Sequence, residues 1–184
     1  SNGSNDLNET NVLKSRIIND IHYESFDYIT NLGFKNKFKL DFKNVNTVGK
    51  NHTTYKSSPE LDLVALLDMN ISMPLIKNEE KFINYLTPKI SLRYNPTNMI
   101  DHSTSTNTLY VDNIFNTNRL GLSDTLESGR SITLGLDYKK EKTKYKKNTE
   151  DEDIDSINKY FEFKLATVIR DKEEKNISTT STLN

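Results

Sequence analysis

Few residues in this chain are placed to do covalent chemistry. It contains no cysteine, which removes thiol nucleophiles, disulfides and thiolate metal sites together. His22, His52 and His102 are scattered and match no metal-ligand spacing. Asp62 and Asp68 share a parity, but six residues of extended chain hold them about 20 Å apart, too far for a carboxylate pair. There is no Gly-x-Ser-x-Gly elbow and no phosphate-binding glycine loop. The expectation is therefore a protein that is not an enzyme, with no catalytic residue, no metal and no cofactor.

What remains is recognition by charge. Lys35, Lys37 and Lys39 share one face of an extended segment. Such a row either meets phosphorylated sugars or is neutralised by carboxylates of neighbouring strands, such as Asp62 or Asp68. The run Lys139–Lys147 followed by Glu150–Asp155 either contacts phosphates and cations or neutralises itself in solvent. Arg119 is followed closely by Asp124 and Glu127, and pairing with either carboxylate would pin a turn.

The elements that must position these groups are strands. From Leu61 to Leu75 every odd residue is apolar, while the even positions include Asp62, Asp68 and Asn70. Period 2 places the two sets on opposite faces of a strand. The same alternation runs through Tyr28–Phe42, through Ile90, Leu92 and Tyr94, through Ile132–Tyr138, and through Phe161–Ile169. Seven strands are expected, near 11–23, 26–42, 60–75, 83–94, 109–118, 129–140 and 157–170. The connections 43–59, 95–108 and 139–156 are long and polar, and those between them are short. Long loops alternating with short turns characterise outer-membrane barrels, whose long loops lie outside the cell.

Composition is compatible with this. Net charge is −1 and 34% of residues are apolar, so there is no field for nucleic acid. A mean hydropathy of −0.72 and the lack of a long apolar run argue against spanning helices. Barrel strands hide their hydrophobicity by alternation. The expected fold is all-β: an antiparallel up-and-down transmembrane barrel segment of about seven strands, with 1–184 forming part of a larger barrel domain. An odd, open set of strands would expose two edges, which lipid does not tolerate. Alone, the segment is expected to need detergent. Ser1–Glu9 is polar and carries no signal-peptide core, so an exported chain would start after its signal. A soluble up-and-down barrel or β-sandwich binding domain remains the alternative, as does a general porin or receptor-type barrel.

The stretch Leu86–Tyr138 is similar to the barrel domain of the lipopolysaccharide-assembly outer-membrane proteins, the LptD/OstA family. The matching residues are Pro88 and Lys89 before one strand, then Phe115, Asn118, Arg119, Asp124, Glu127, Gly129, Gly135 and Leu136. Leu120 stands at the usual aromatic and Thr125 where a second arginine is common. Gly121 and Arg130 lie one position before the family's glycine and last arginine. The resemblance implies a translocon in the cell outer membrane that assembles lipopolysaccharide into the outer leaflet. It implies contact with lipopolysaccharide, outer-membrane lipid, a plug lipoprotein (LptE-like) and a periplasmic bridge protein (LptA-like). Read from the residues, Asn118–Asp124 is a strand-to-strand turn built on glycine, serine and aspartate, with direct substrate contact as the alternative role. On this reading Lys35, Lys37, Lys39, Asp62 and Asp68 face the lumen, and Leu63, Leu67, Ile71 and Met73 face lipid.

Overall fold

The computed structural model describes residues 12–51, 56–146 and 154–177. The described residues contain no helix. They form one antiparallel sheet: β1 (Leu13–Glu24), β2 (Tyr28–Ile29), β3 (Lys35–Lys50), β4 (Glu60–Ser72), β5 (Leu75–Asn78), β6 (Phe82–Asn95), β7 (Gly129–Lys146) and β8 (Ile154–Arg170). The order is β1-β3-β4-β6-β7-β8. The short β2 pairs with β3 beyond the end of β1, and β5 pairs with β6 beyond the end of β4. Each short strand thus continues a long one after a bend. The bend at Met73–Pro74 faces Pro88, whose carbonyl accepts the Met73 N–H at 3.1 Å. A proline survives inside this sheet because the opposite ladder is interrupted there. β1 and β8 do not pair with each other, so the sheet is open.

Ladder register fixes the faces. Opposed residues in an antiparallel pair point to the same side. Leu40, Leu67, Tyr94 and Arg130 form one row across β3, β4, β6 and β7. Lys39, Asp68, Arg93 and Ser131 form the next, on the other face. The first face is apolar and uncovered: Phe38, Leu40, Phe42, Leu63, Leu67, Ile90, Leu92, Ile132, Leu134, Phe163 and Leu165 are all exposed. The second face is polar and lies under residues 96–128. Among the described residues twenty-nine large hydrophobics are exposed and ten are buried. That ratio is the reverse of a water-soluble sandwich, which buries the inward set of each strand. The buried apolar residues sit between the loop and the polar face, with Leu126 packed on Val64 and Leu66. Met99, Leu109, Leu120 and Leu122 gather with Ile177.

In 61–75 the two parities fall on opposite faces: Leu63 and Leu67 are exposed on the apolar side, and Asp68 is fully buried on the other. Three expectations are corrected. The first is the strand at 109–118. These residues form consecutive turns, with Ile114 fully buried and hydrogen bonds from Asn113 N and Ile114 N to the Tyr110 carbonyl. The second is the turn at 23–26. The chain actually reverses at Thr30–Phe34, where Gly33 has φ of 84°, Gly33 N donates to the Thr30 carbonyl and Phe34 N to the Thr30 hydroxyl. Third, β3 runs on to Lys50, so 43–50 is strand rather than loop. Its Asn44 and Asn46 read as polar loop, while Val45 is buried on the alternate face.

Losing one strand changes the sidedness. Six long strands put 51–59 and 96–128 at one end of the sheet. The connection between β7 and β8 falls at the opposite end, with the Thr30–Phe34 turn and 79–81. The three long loops therefore cannot all lie on one side, as the seven-strand reading expects. Ser1–Asn11, His52 and Glu150–Asp153 lie outside the described residues.

Candidate functional site

Every residue of the Leu86–Tyr138 pattern except Pro88, Gly129 and Leu136 acts at the seam between the loop 96–128 and the polar sheet face; Leu136 lies on the apolar face beside Pro88. Arg119 is the largest fully buried side chain. Its Nε and Nη2 donate to the two Glu127 carboxylate oxygens, both at 2.5 Å. Nη1 and Nη2 also donate to the sheet, at Thr133 Oγ1 and Ser131 Oγ, both 3.0 Å. Glu127 also accepts from Arg170 Nε of β8 at 2.9 Å. Of the two carboxylates open to Arg119 in the sequence, the structure selects Glu127. Asp124 goes instead to His102 Nε2 at 2.9 Å and to Arg16 of β1 at 3.3 Å.

Planar two-point pairing of guanidinium and carboxylate is the strong form of this contact. Burial by itself would raise the Glu127 pKa. The hydrogen bonds from Arg119 and the fields of Arg119, Arg170 and Arg93 outweigh it and hold the carboxyl at about 2. Because the folded value lies below the free value of 4.5, the stabilisation is complete above pH 4.5 and is lost as pH falls toward 2. Emission from a single tryptophan at Tyr110, an exposed loop residue, should stay flat from neutral pH to about 5. It should change below that. A transition centred near pH 6 would mean that a group other than Glu127 governs the loop.

Glycines and aromatics set the close approach. Phe115 lies directly on the Gly135 backbone: a Cβ at that glycine would stand 2.5 Å from Phe115 Cζ. Lys89 Nζ lies 4.8 Å from the centre of the same ring and 2.5 Å from Asp137. Gly135→Ala should therefore push Phe115 off the sheet and cost about 1–3 kcal/mol, the usual range for overpacking. In a denaturation series the cost should shrink in the Phe115→Ala background, because the clash is then gone. Equal costs in both backgrounds would refute the contact. Gly121 and Gly129 have φ of 64° and 82°, conformations that side chains disfavour. The Asn118 amide closes the loop's own turn by bonding the Leu122 N–H and carbonyl.

The polar sheet face supplies further anchors that the sequence reading does not single out. Arg93 donates to the Asn116 and Thr117 carbonyls at 2.9 and 2.6 Å, and lies 3.7 Å from Asp68. Ser91 donates to Asp68 at 2.7 Å. The Asn95 amide reaches the Leu126 and Glu127 carbonyls. Lys43 reaches the Ser123 carbonyl and Asp20, and Lys164 of β8 meets Asp112. The signal was present in the chain, since Ser91, Arg93 and Asn95 alternate with the exposed Ile90, Leu92 and Tyr94. The loop thus bonds side chains of β1, β3, β6, β7 and β8.

Lys37 and Lys39 do lie on the covered face, but their partners differ from the expected Asp62 and Asp68. Lys35 pairs with Asp27, Lys37 with Glu24 and Asp27, and Lys39 approaches Glu24 at 4.0 Å. Glu24 ends β1 opposite Lys39, and the bend after it carries Asp27 back over the lysine row. Asp62 is exposed and Asp68 is held by Ser91, Asn70 and Arg93. Among the described residues no cluster of histidine and carboxylate has metal-binding geometry. No helix of the described residues is long and apolar enough to cross a membrane, which says nothing about strands. No family model, no curated protein and no solved structure matches this chain.

Proposed function

We propose that this chain is a segment of an outer-membrane β-barrel that assembles lipopolysaccharide into the outer leaflet. One observation carries the membrane part of the reading: the sheet is inside-out, with an exposed apolar face across six long strands and its polar face closed by its own loop. Barrel walls between lipid and water have this arrangement. The two unpaired edges call for further strands, because a spanning sheet must satisfy every backbone group.

The cargo comes from the resemblance of Leu86–Tyr138 to the lipopolysaccharide-assembly family. Its support here is spatial: Lys89, Phe115, Asn118, Arg119, Asp124, Glu127 and Gly135 converge at one seam instead of scattering. In this reading saccharide passes along the hydrated polar face and acyl chains enter the bilayer. The plug lipoprotein and periplasmic bridge protein belong to the same proposal. Depleting the protein from its host should lower newly made lipopolysaccharide at the cell surface and leave uptake of small solutes unchanged. Loss of solute uptake with normal surface lipopolysaccharide would make it a porin.

A further inference from the structure

The polar limits of the open face are not parallel to the hydrogen-bonded rows. On β7 the exposed side is apolar from Ile132 to Tyr138, between Arg130 and Lys140. On β3 the corresponding stretch runs from Phe34 to Phe42 and ends at Asn44. Its one interior polar residue, Asn36, spends its amide on the Tyr28 and Phe34 carbonyls. Arg130 lies in the row of Leu40, so the limit on β3 falls four residues further along. Three strand spacings are about 14 Å and four residues of strand about 13 Å. A line joining the two limits is therefore inclined, and the strands lean about 43° from its perpendicular. Membrane barrels tilt their strands by 35–45°. The ten residues from Arg130 to Lys140 span about 33 Å of strand, or about 24 Å across the inclined band, against the roughly 25 Å of a barrel's apolar belt. Leu61 and Leu63 on β4 lie beyond the line, beside Asn46 and Asn44.

Both limits on β7 carry a cation over an aromatic ring of β6. Arg130 lies 5.4 Å from the Tyr94 ring centre and Lys140 lies 4.2 Å from that of Phe82. Near the second limit Tyr138 donates to Asn84 at 2.9 Å. Next to Arg130, Leu92, Tyr94, Ile132 and Ile169 border an apolar groove of about 660 Å³. Aromatic rings with long basic side chains are what the boundary between hydrocarbon and headgroups selects.

We infer that the open face seats a phospholipid bilayer whose two headgroup planes pass through the Arg130–Tyr94 and Lys140–Phe82 pairs, with lipid phosphates held by the two cations and the strands leaning about 43°. This rests on the membrane reading above and adds to it a depth, a tilt and a ligand. The chain has no tryptophan, so a single introduced one reports alone. Ile132 and Phe42 each lie two residues inside their limits, on β7 and β3. Ile132→Trp and Phe42→Trp, in the closed barrel that carries these 184 residues, with any tryptophan outside them replaced, and reconstituted into vesicles of phosphatidylcholine and phosphatidylglycerol, should be quenched at the same depth by acyl chains brominated at known positions. Leu136→Trp should be quenched deeper. Quenching of Ile132→Trp without Phe42→Trp would overturn the inclination and leave the membrane reading standing. No quenching at any of the three would overturn both. Arg130→Gln and Lys140→Gln should each weaken partition into vesicles containing phosphatidylglycerol by about fivefold relative to phosphatidylcholine alone. Unchanged partition would remove the phosphate role.

Discussion

Glu127→Ala should detach the loop 96–128 from the sheet, at a cost of about 3–5 kcal/mol, the range for removing one partner of a buried ion pair. The size follows from what is left behind. Arg119 is fully buried and would keep only two neutral hydroxyl partners, Thr133 and Ser131. Arg170 would lose its carboxylate as well. Two guanidinium groups would then share a pocket without a counter-charge, and water has to enter to solvate them. Opening the loop is the cheapest way to admit it. Amide exchange across 96–128 should accelerate by about two to four orders of magnitude, the equivalent of that cost, while exchange in β6 and β7 changes little. Glu127→Leu combined with Arg119→Met and Arg170→Met should recover much of the loss, because hydrophobic groups of similar volume carry no stranded charge. If Glu127→Ala leaves loop protection unchanged, the bidentate clamp is not what fastens it.

The faces of the sheet were legible in the sequence, and one whole element was misread. Alternation in 61–75, 90–94 and 132–138 assigns sides correctly because each strand has one solvent of each kind, and parity is the only variable. The segment 109–118 has the composition of a strand, with Leu109, Val111 and Phe115 at odd positions. Its apolar residues serve another purpose. Leu109 packs with Met99, Leu120 and Leu122, and Phe115 settles on Gly135. A short apolar run cannot distinguish a strand from a loop that folds back onto one. The clue lay on the receiving side, in Gly135 and in the small residues Ser91, Ser131 and Thr133. These leave room above the sheet for a covering layer. The sequence offers Arg119 two carboxylates, Asp124 and Glu127, and only the buried loop selects Glu127. Eight residues apart, Arg119 and Glu127 would have been unremarkable on a solvated turn. The partners of Lys35 and Lys37 were hidden for a related reason. Asp27 is brought over them by the bend between β1 and β2, which no periodicity announces.

Leu134→Arg should change stability in opposite directions in lipid and in water. Leu134 stands near the middle of the exposed band on β7, opposite Ile90 and Thr167, and is 39% exposed. Facing hydrocarbon, an arginine there costs about 2–4 kcal/mol at the midplane. Facing water, the same substitution removes an exposed leucine from a large apolar surface of the kind that drives association. The parent chain should therefore sediment as aggregate without detergent, and Leu134→Arg should be more soluble. In vesicles the order should reverse, with the variant unfolding at lower denaturant than the parent. Thr133→Arg is the control from the next position. Thr133 is fully buried on the polar face under Arg119, so an arginine there should disrupt the loop seam in either medium, with no reversal. The reversal at 134 alone is the signature of a residue whose natural solvent is lipid. A parent chain that is monodisperse in water, with Leu134→Arg neutral in both media, would mean that the exposed face is covered by protein instead. The membrane reading would then give way to a β-rich binding domain whose partner lies on that face.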